Sequence, residues 1–171
     1  MERSVFAEEF VAQAIFRMEE FTPRIRQCLA ELSEEQIWLR PNRHSNSVGN
    51  LVLHLCGNIG QYILSSLAGR PDSRERDAEF AARGGLSGPE LARRLSTTVD
   101  QAVAVIGACP EAELLRKRDV QGFQLSGIGI IVHVVEHYSY HTGQIAFWTK
   151  ALRDMDLGFY ADLDLNIQNP D

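Results

Sequence analysis

Cysteine is scarce in this chain, and what there is does not pair. Cys28, Cys56 and Cys109 are odd in number, scattered and free of CxxC spacing, which excludes a disulfide framework and a thiolate zinc site and points to a reducing compartment. An excess of positive charge is also missing. Seventeen Lys and Arg against 23 Asp and Glu leave a formal charge of -6, so no nucleic-acid surface is expected, because phosphate binding needs concentrated cations. The densest basic stretch, RKRD at 116–119, reads as a solvated loop. No run approaches the roughly 18 apolar residues of a membrane span, and MERSVFAEEF lacks the apolar stretch of a secretory signal. No membrane partner is therefore expected, and the expected location is the cytoplasm. G-x-S-x-G, P-loop and dinucleotide fingerprints are absent too, which leaves serine-hydrolase, nucleotide and hydride chemistry without support.

What is present is helical periodicity. The chain of 171 residues is 44% hydrophobic, an ordinary size for one domain spanning 1–171. Val5, Phe6, Phe10, Val11, Ala14, Ile15, Met18, Phe21 and Ile25 recur at amphipathic spacing and predict a helix over 3–31, kinked or divided by Pro23. SEEQIWLRPN reads as a short capped turn closed by Pro41. A second helix is expected to start after Ser47 and to stop at Gly69, Pro71 and Asp72. A polar linker over 70–86 follows, long enough for a crossover. Ser87 and Glu90 form a capping box around Pro89, opening a third helix that Cys109 and Pro110 end. The stretch 111–125 has no helical period and reads as an extended loop or a hairpin around Gly122. A fourth helix opens near Ser126 and ends around Arg153, and Leu157, Phe159 and Tyr160 of the acidic tail are expected to pack back on the core. The expected fold is all-α, a four-helix bundle with a long crossover between helices two and three, and such bundles build sites from inward-facing side chains.

Two of these helices carry a polar seam. On the fourth, His133, His137, His141, Gln144 and Trp148 fall on one stripe; on the second, Asn50, His54, Asn58 and Gln61 fall among Leu51, Leu55, Ile59 and Tyr62. Burying such groups without partners costs roughly 1–3 kcal/mol each, and a metal ion is an economical partner for several imidazoles. Two histidines at i, i+4 can reach one cation. His133 and His141 lie roughly 12 Å apart along the axis, so all three cannot share it. Periodicity alone does not choose between His133 with His137 and His137 with His141. The third ligand must come from elsewhere, and His54, mid-helix on an apolar segment, is the candidate; His44, in the loop PNRHSNS, has no such context. Glu136 and Tyr140 each lie about 100° around the helix from the nearest of these histidines and so make poor general bases. Cys56, two positions after His54, reads as a small core residue.

SVGNLVLHLCGNIGQYI followed far downstream by VHVVEHYSYHTGQIAFW resembles the DinB-like superfamily of YfiT-type fold, a bacterial group regarded as metalloenzymes. Its most specific element is a mid-helix His on helix two combined with HxxxH just before a Gly-Gln pair, here Gly143-Gln144. The resemblance implies a triad of His54, His137 and His141. It leaves His133 as a supporting residue one turn away, reaching across to helix two. Gln144, Asn58 and Gln61 line the neighbouring turns, either orienting ligands or holding substrate, or satisfying one another across the bundle. Three neutral imidazoles leave a divalent ion with open positions, as catalytic sites do, and zinc, nickel, copper and iron all suit such a donor set. Relatives in the superfamily include transferases and isomerases that use low-molecular-weight thiols, so the resemblance implies a metal-dependent enzyme on a small-molecule substrate, a thiol S-transferase in detoxification or stress response. It also implies a homodimer. The alternative is a non-catalytic metal- or ligand-binding protein.

Overall fold

The structure is a computed structural model and describes residues 3–170. The described residues are mostly helical. Helix α1 (Val5–Glu31) is capped by Ser4, whose hydroxyl accepts from the Ala7 amide. It buries Ala7, Val11, Ala14, Met18, Thr22, Ile25 and Leu29 along one stripe. Pro23 lies inside α1 but does not divide it. A proline there removes one helical hydrogen bond, and the burial of its neighbours Thr22 and Ile25 supplies packing that holds the helix through it. Helix α2 (Glu34–Trp38) is a single capped turn with a reciprocal Ser33–Gln36 box.

Helix α3 (Val48–Ile59) starts on Ser47, as its sequence signals, and passes into a π-helical segment, Gly60–Leu67. There the Ala68 amide bonds to the Ile63 carbonyl at 3.0 Å, five residues back. Such wide turns recur at functional sites, and no residue pattern announces this one. The crossover is not only a linker. Helix α4 (Arg76–Ala81) forms within it and packs on α3.

Helix α5 (Gly88–Ala108) opens with Pro89 in its first turn and with the Glu90 carboxylate accepting from the Ser87 amide and hydroxyl. A short helix, α6 (Glu111–Leu115), precedes an antiparallel pair, β1 (Lys117–Val120) and β2 (Phe123–Ser126). Gln121 and Gly122 join the strands with φ of 51° and 83°, the positive values that a two-residue hairpin turn needs and glycine supplies cheaply. Helix α7 (Gly127–Arg153) is capped by Ser126 and ended by Asp154 in a left-handed conformation. The four long helices share one core, with α1 against α5 and α7, and α3 against α5 and α7. In the tail, Leu157 is buried, Phe159 packs on the core and the half-exposed Tyr160 accepts a hydrogen bond from Arg24. No helix among the described residues is long and apolar enough to cross a membrane.

Asn50 fastens the crossover to α3. Its side chain is fully buried, and Nδ2 donates to the Glu79 and Ala82 carbonyls, both at 2.9 Å. Its Oδ1 accepts from the Ser47 hydroxyl at 2.9 Å and from Arg40 at 3.0 Å. Removing the amide strands several buried groups at roughly 1–3 kcal/mol each. Asn50→Ala is therefore expected to destabilise the protein by at least about 2 kcal/mol in urea unfolding, against less than about 0.5 kcal/mol for truncation of the exposed Phe147.

Candidate metal centre

The i, i+4 spacing places His137 and His141 on one face of α7, and the packing of α3 on α7 brings His54 to meet them. Each of the three offers a ring nitrogen, and the three atoms lie within 4.8 Å of one another. His137 Nε2 is 3.1 Å from His54 Nε2 and 3.2 Å from His141 Nε2. Two nitrogens bound to one divalent ion at about 2.0–2.1 Å lie roughly 3.0–3.4 Å apart. The spacing fits.

Proton bookkeeping shows why a cation, rather than hydrogen bonding, suits this meeting point. His54 Nδ1 lies 2.9 Å from Glu79 Oε2, and a carboxylate only accepts, so Nδ1 carries the proton and Nε2 presents a lone pair. His141 Nδ1 lies 2.6 Å from Gln144 Oε1, an amide oxygen that likewise only accepts, so His141 Nε2 also presents a lone pair. His137 Nε2 sits between them. If it carries a proton it can satisfy only one neighbour, and its other nitrogen, Nδ1, is buried without a partner. Burial first, and then the neighbouring imidazoles His141 and His54, push the His137 pKa down to about 3. Burial also lowers that of His141, against the opposing pull of Gln144. Neutral imidazoles are the form that ligates metal.

Glu79 and Arg74, which were not visible as site residues in the sequence, complete the surroundings of His54. Both side chains are nearly fully buried. Arg74 grips the carboxylate with Nε at 2.8 Å from Oε1 and Nη2 at 3.0 Å from Oε2. Its Nη2 also lies 3.1 Å from His54 Nδ1, a close approach between two N–H groups and not a bond. Burial would raise the Glu79 carboxyl pKa, but hydrogen bonds and charge from His54 and Arg74 outweigh it and hold the group below the usual carboxylate range. The Phe80 ring leans on His54 with centroids 4.6 Å apart.

The remaining seam residues have other partners. Gln61 does not reach the imidazoles: its Oε1 accepts from Arg74 at 3.0 Å and its Nε2 donates to Asp72 at 2.8 Å. Asn58 Nδ2 lies 3.2 Å from His133 Nε2. His133 stacks on Tyr62 with centroids 4.2 Å apart, and the Tyr62 hydroxyl donates to Gln121 in the hairpin turn. His133 Nε2 is thus engaged by an amide, and His133 is outside the three-histidine group. His44 is exposed beside Arg43, Glu136 is exposed, and the largely exposed Tyr140 sets a ring edge against His141 with centroids 5.0 Å apart.

Comparison with known proteins agrees with this fold. A family described as a protein of unknown function, DUF1572, matches residues 5–161. The chain belongs to that family, which is DinB-like. Among solved structures it is similar to the DinB-like protein YjoA of Bacillus subtilis, with a TM-score of 0.65 and 17% identity over 85% of this chain and 94% of that one. A DinB-like protein of Bacillus cereus gives 0.63 and 16% identity over 78% and 87% of the two chains. A conserved protein from Enterococcus faecalis gives 0.62 and 17% identity over 91% and 99%. No curated protein matches. The fold and the three-histidine group together fit a metal-binding protein.

The cysteines take no part in this group. Cys28, Cys56 and Cys109 are buried, and burial raises all three thiols, Cys56 to about 11. The folded protein is expected to show no rapid reaction with a thiol-specific disulfide reagent at pH 8, and three equivalents after denaturation, read by absorbance.

Proposed function

We propose that this protein is a metal-dependent enzyme in which His54, His137 and His141 of a DinB-type four-helix bundle hold one divalent ion. The observation that carries the reading is the convergence of three Nε2 atoms, two of them deprotonated by the partners of their own rings. When bound, the ion would supply Lewis acidity, lowering the pKa of a coordinated water or thiol toward neutrality. The residues present do the rest. His54 is oriented by Glu79, His141 by Gln144, and the half-buried position of His137 and His141 leaves the group reachable from the Tyr140 and Gln144 side. Only these three residues join the group among the described residues, so a divalent ion would retain positions for an outside ligand, as catalytic sites do. The protein's own thiols are buried and protonated at neutral pH. A thiol nucleophile must then come from solution, which favours transfer of a low-molecular-weight thiol to an electrophilic small molecule. In this reading Asn58 and His133 brace the neighbouring turn and hold no ion.

Elemental analysis of the tag-free protein after reconstitution tests the site. One equivalent of zinc, nickel or iron is expected, lost in His54→Ala, His137→Ala and His141→Ala and retained in His133→Ala. Ligand binding to the folded state at 100 times Kd adds about 2.7 kcal/mol, so the unfolding midpoint should rise with metal in wild type and His133→Ala only. Thiol consumption with an aryl halide should depend on the ion and return on its re-addition. Protein that takes up none of these ions would sink the reading.

A further inference from the structure

We infer that Glu79 is a positioning residue that sets the affinity of the centre, delivered to His54 by the crossover and seated on Gly57. The inference rests on the metal-binding reading above and adds a residue outside the three ligands. Three independent observations converge on it. The carboxylate accepts from His54 Nδ1 at 2.9 Å on the side of the ring opposite the triad, which fixes the tautomer and ring plane. A histidine whose other nitrogen donates to a carboxylate is a more basic ligand, and loss of such a partner typically costs 10–100-fold in metal affinity.

Glu79 is itself held at both ends, by Arg74 at the carboxylate and by Asn50 at the backbone. Arg74 grips both oxygens, Gln61 holds Arg74, and Asn50 holds the Glu79 carbonyl. A solvated acid would sample many rotamers, whereas this one has a single seat. The seat exists because position 57 has no side chain: a Cβ there would overlap Glu79 Oε1 and crowd Arg74 Nε at 3.0 Å. Gly57 lies within α3, where glycine costs about 1 kcal/mol against alanine. The gap it leaves is filled by the acid.

The chemistry is specific about direction. Glu79 accepts and never donates at His54, so it favours the tautomer whose Nε2 lone pair faces His137. Without it, His54 is free to place its proton on Nε2 and turn a donor N–H toward the other two rings, which an ion must first displace, so its affinity falls.

The test titrates metal-free protein with Co2+, followed by ligand-field absorption, with Zn2+ in competition. Wild type is compared with Glu79→Gln and Gly57→Ala. Because Glu79→Gln leaves a buried guanidinium unpaired, the double variant Glu79→Gln with Arg74→Met is included, which removes that charge and preserves shape. Nitrogen chemical shifts of the His54 ring in metal-free protein report the tautomer directly. The expected result is a Kd 10–100-fold weaker in each folded variant, with a His54 shift moving toward the other tautomer. Gly57→Ala should lose affinity even where it raises helix stability, a divergence that a merely structural role would not give. Wild-type affinity and an unchanged His54 shift in the folded double variant would overturn the inference and leave the metal reading standing. Failure of wild type to bind either ion overturns both.

Discussion

Three imidazole nitrogens facing one another at 3.1 and 3.2 Å impose the constraint on which the rest of the site depends. Such a meeting has no hydrogen-bonded solution that satisfies every atom, and it persists only where the helices carrying the rings are fixed in phase and height. The core provides that. Leu55 and Ile59 on α3 and Val134, Tyr138 and Ile145 on α7 are all essentially inaccessible, so neither helix can rotate its polar seam away without exposing an apolar one. Burial that would ordinarily penalise His137 and His141 is also what keeps them neutral and ready to ligate. Apolar packing and site chemistry are thus two readings of the same helix faces.

Much of this was legible in the residues, and the reasons are local. Ser47, Ser126 and the Ser87–Glu90 pair mark helix starts correctly because a cap is a contact within one turn. The hairpin around Gly122 is readable because positive φ is a property of one or two residues. What escapes is tertiary. Nothing in GQYILSSL distinguishes a π-helical segment from an α-helical one, since the widened turn answers to packing between α3, α5 and α7. The helix α4 is hidden for a different reason. In PDSRERDAEF, three acids and two arginines besides Glu79 look alike as solvated charge. Only the fold decides that Arg74 and Glu79 turn inward while Asp77 stays in water.

The choice between the two possible HxxxH pairs shows the same boundary. Spacing shows that His133 and His141 cannot share an ion, but it treats the two adjacent pairs as equals. They are separated by what each ring meets. His133 finds the Asn58 amide at Nε2 and the face of Tyr62 on its ring. His141 finds Gln144 on one nitrogen and His137 on the other, which places it in the three-histidine group. A resemblance could point to the pair that meets His54, but the physical reason for that meeting lies in residues from α3 that no spacing on α7 encodes.

The polar seam is therefore better regarded as two chains of contacts, one of hydrogen bonds throughout and one joined by ring stacking, that approach the centre from opposite ends. One runs from Gln121 in the hairpin through Tyr62 and His133 to Asn58; the other runs from Asp72 through Gln61, Arg74 and Glu79 to His54. Each takes a buried polar group and supplies its partner from a different element, so no element can leave without stranding another. The hairpin end stops at Asn58, whose Oδ1 lacks a partner. The crossover end instead stops on a ring whose far nitrogen faces His137 in the three-histidine group. On the proposed reading that asymmetry divides the labour, with the hairpin chain bracing α7 against α3 and the crossover chain handing basicity to the ion. A segment that reads as a polar linker in the sequence then bears on the centre, because it brings Glu79 to the Nδ1 side of His54 from outside the long helices.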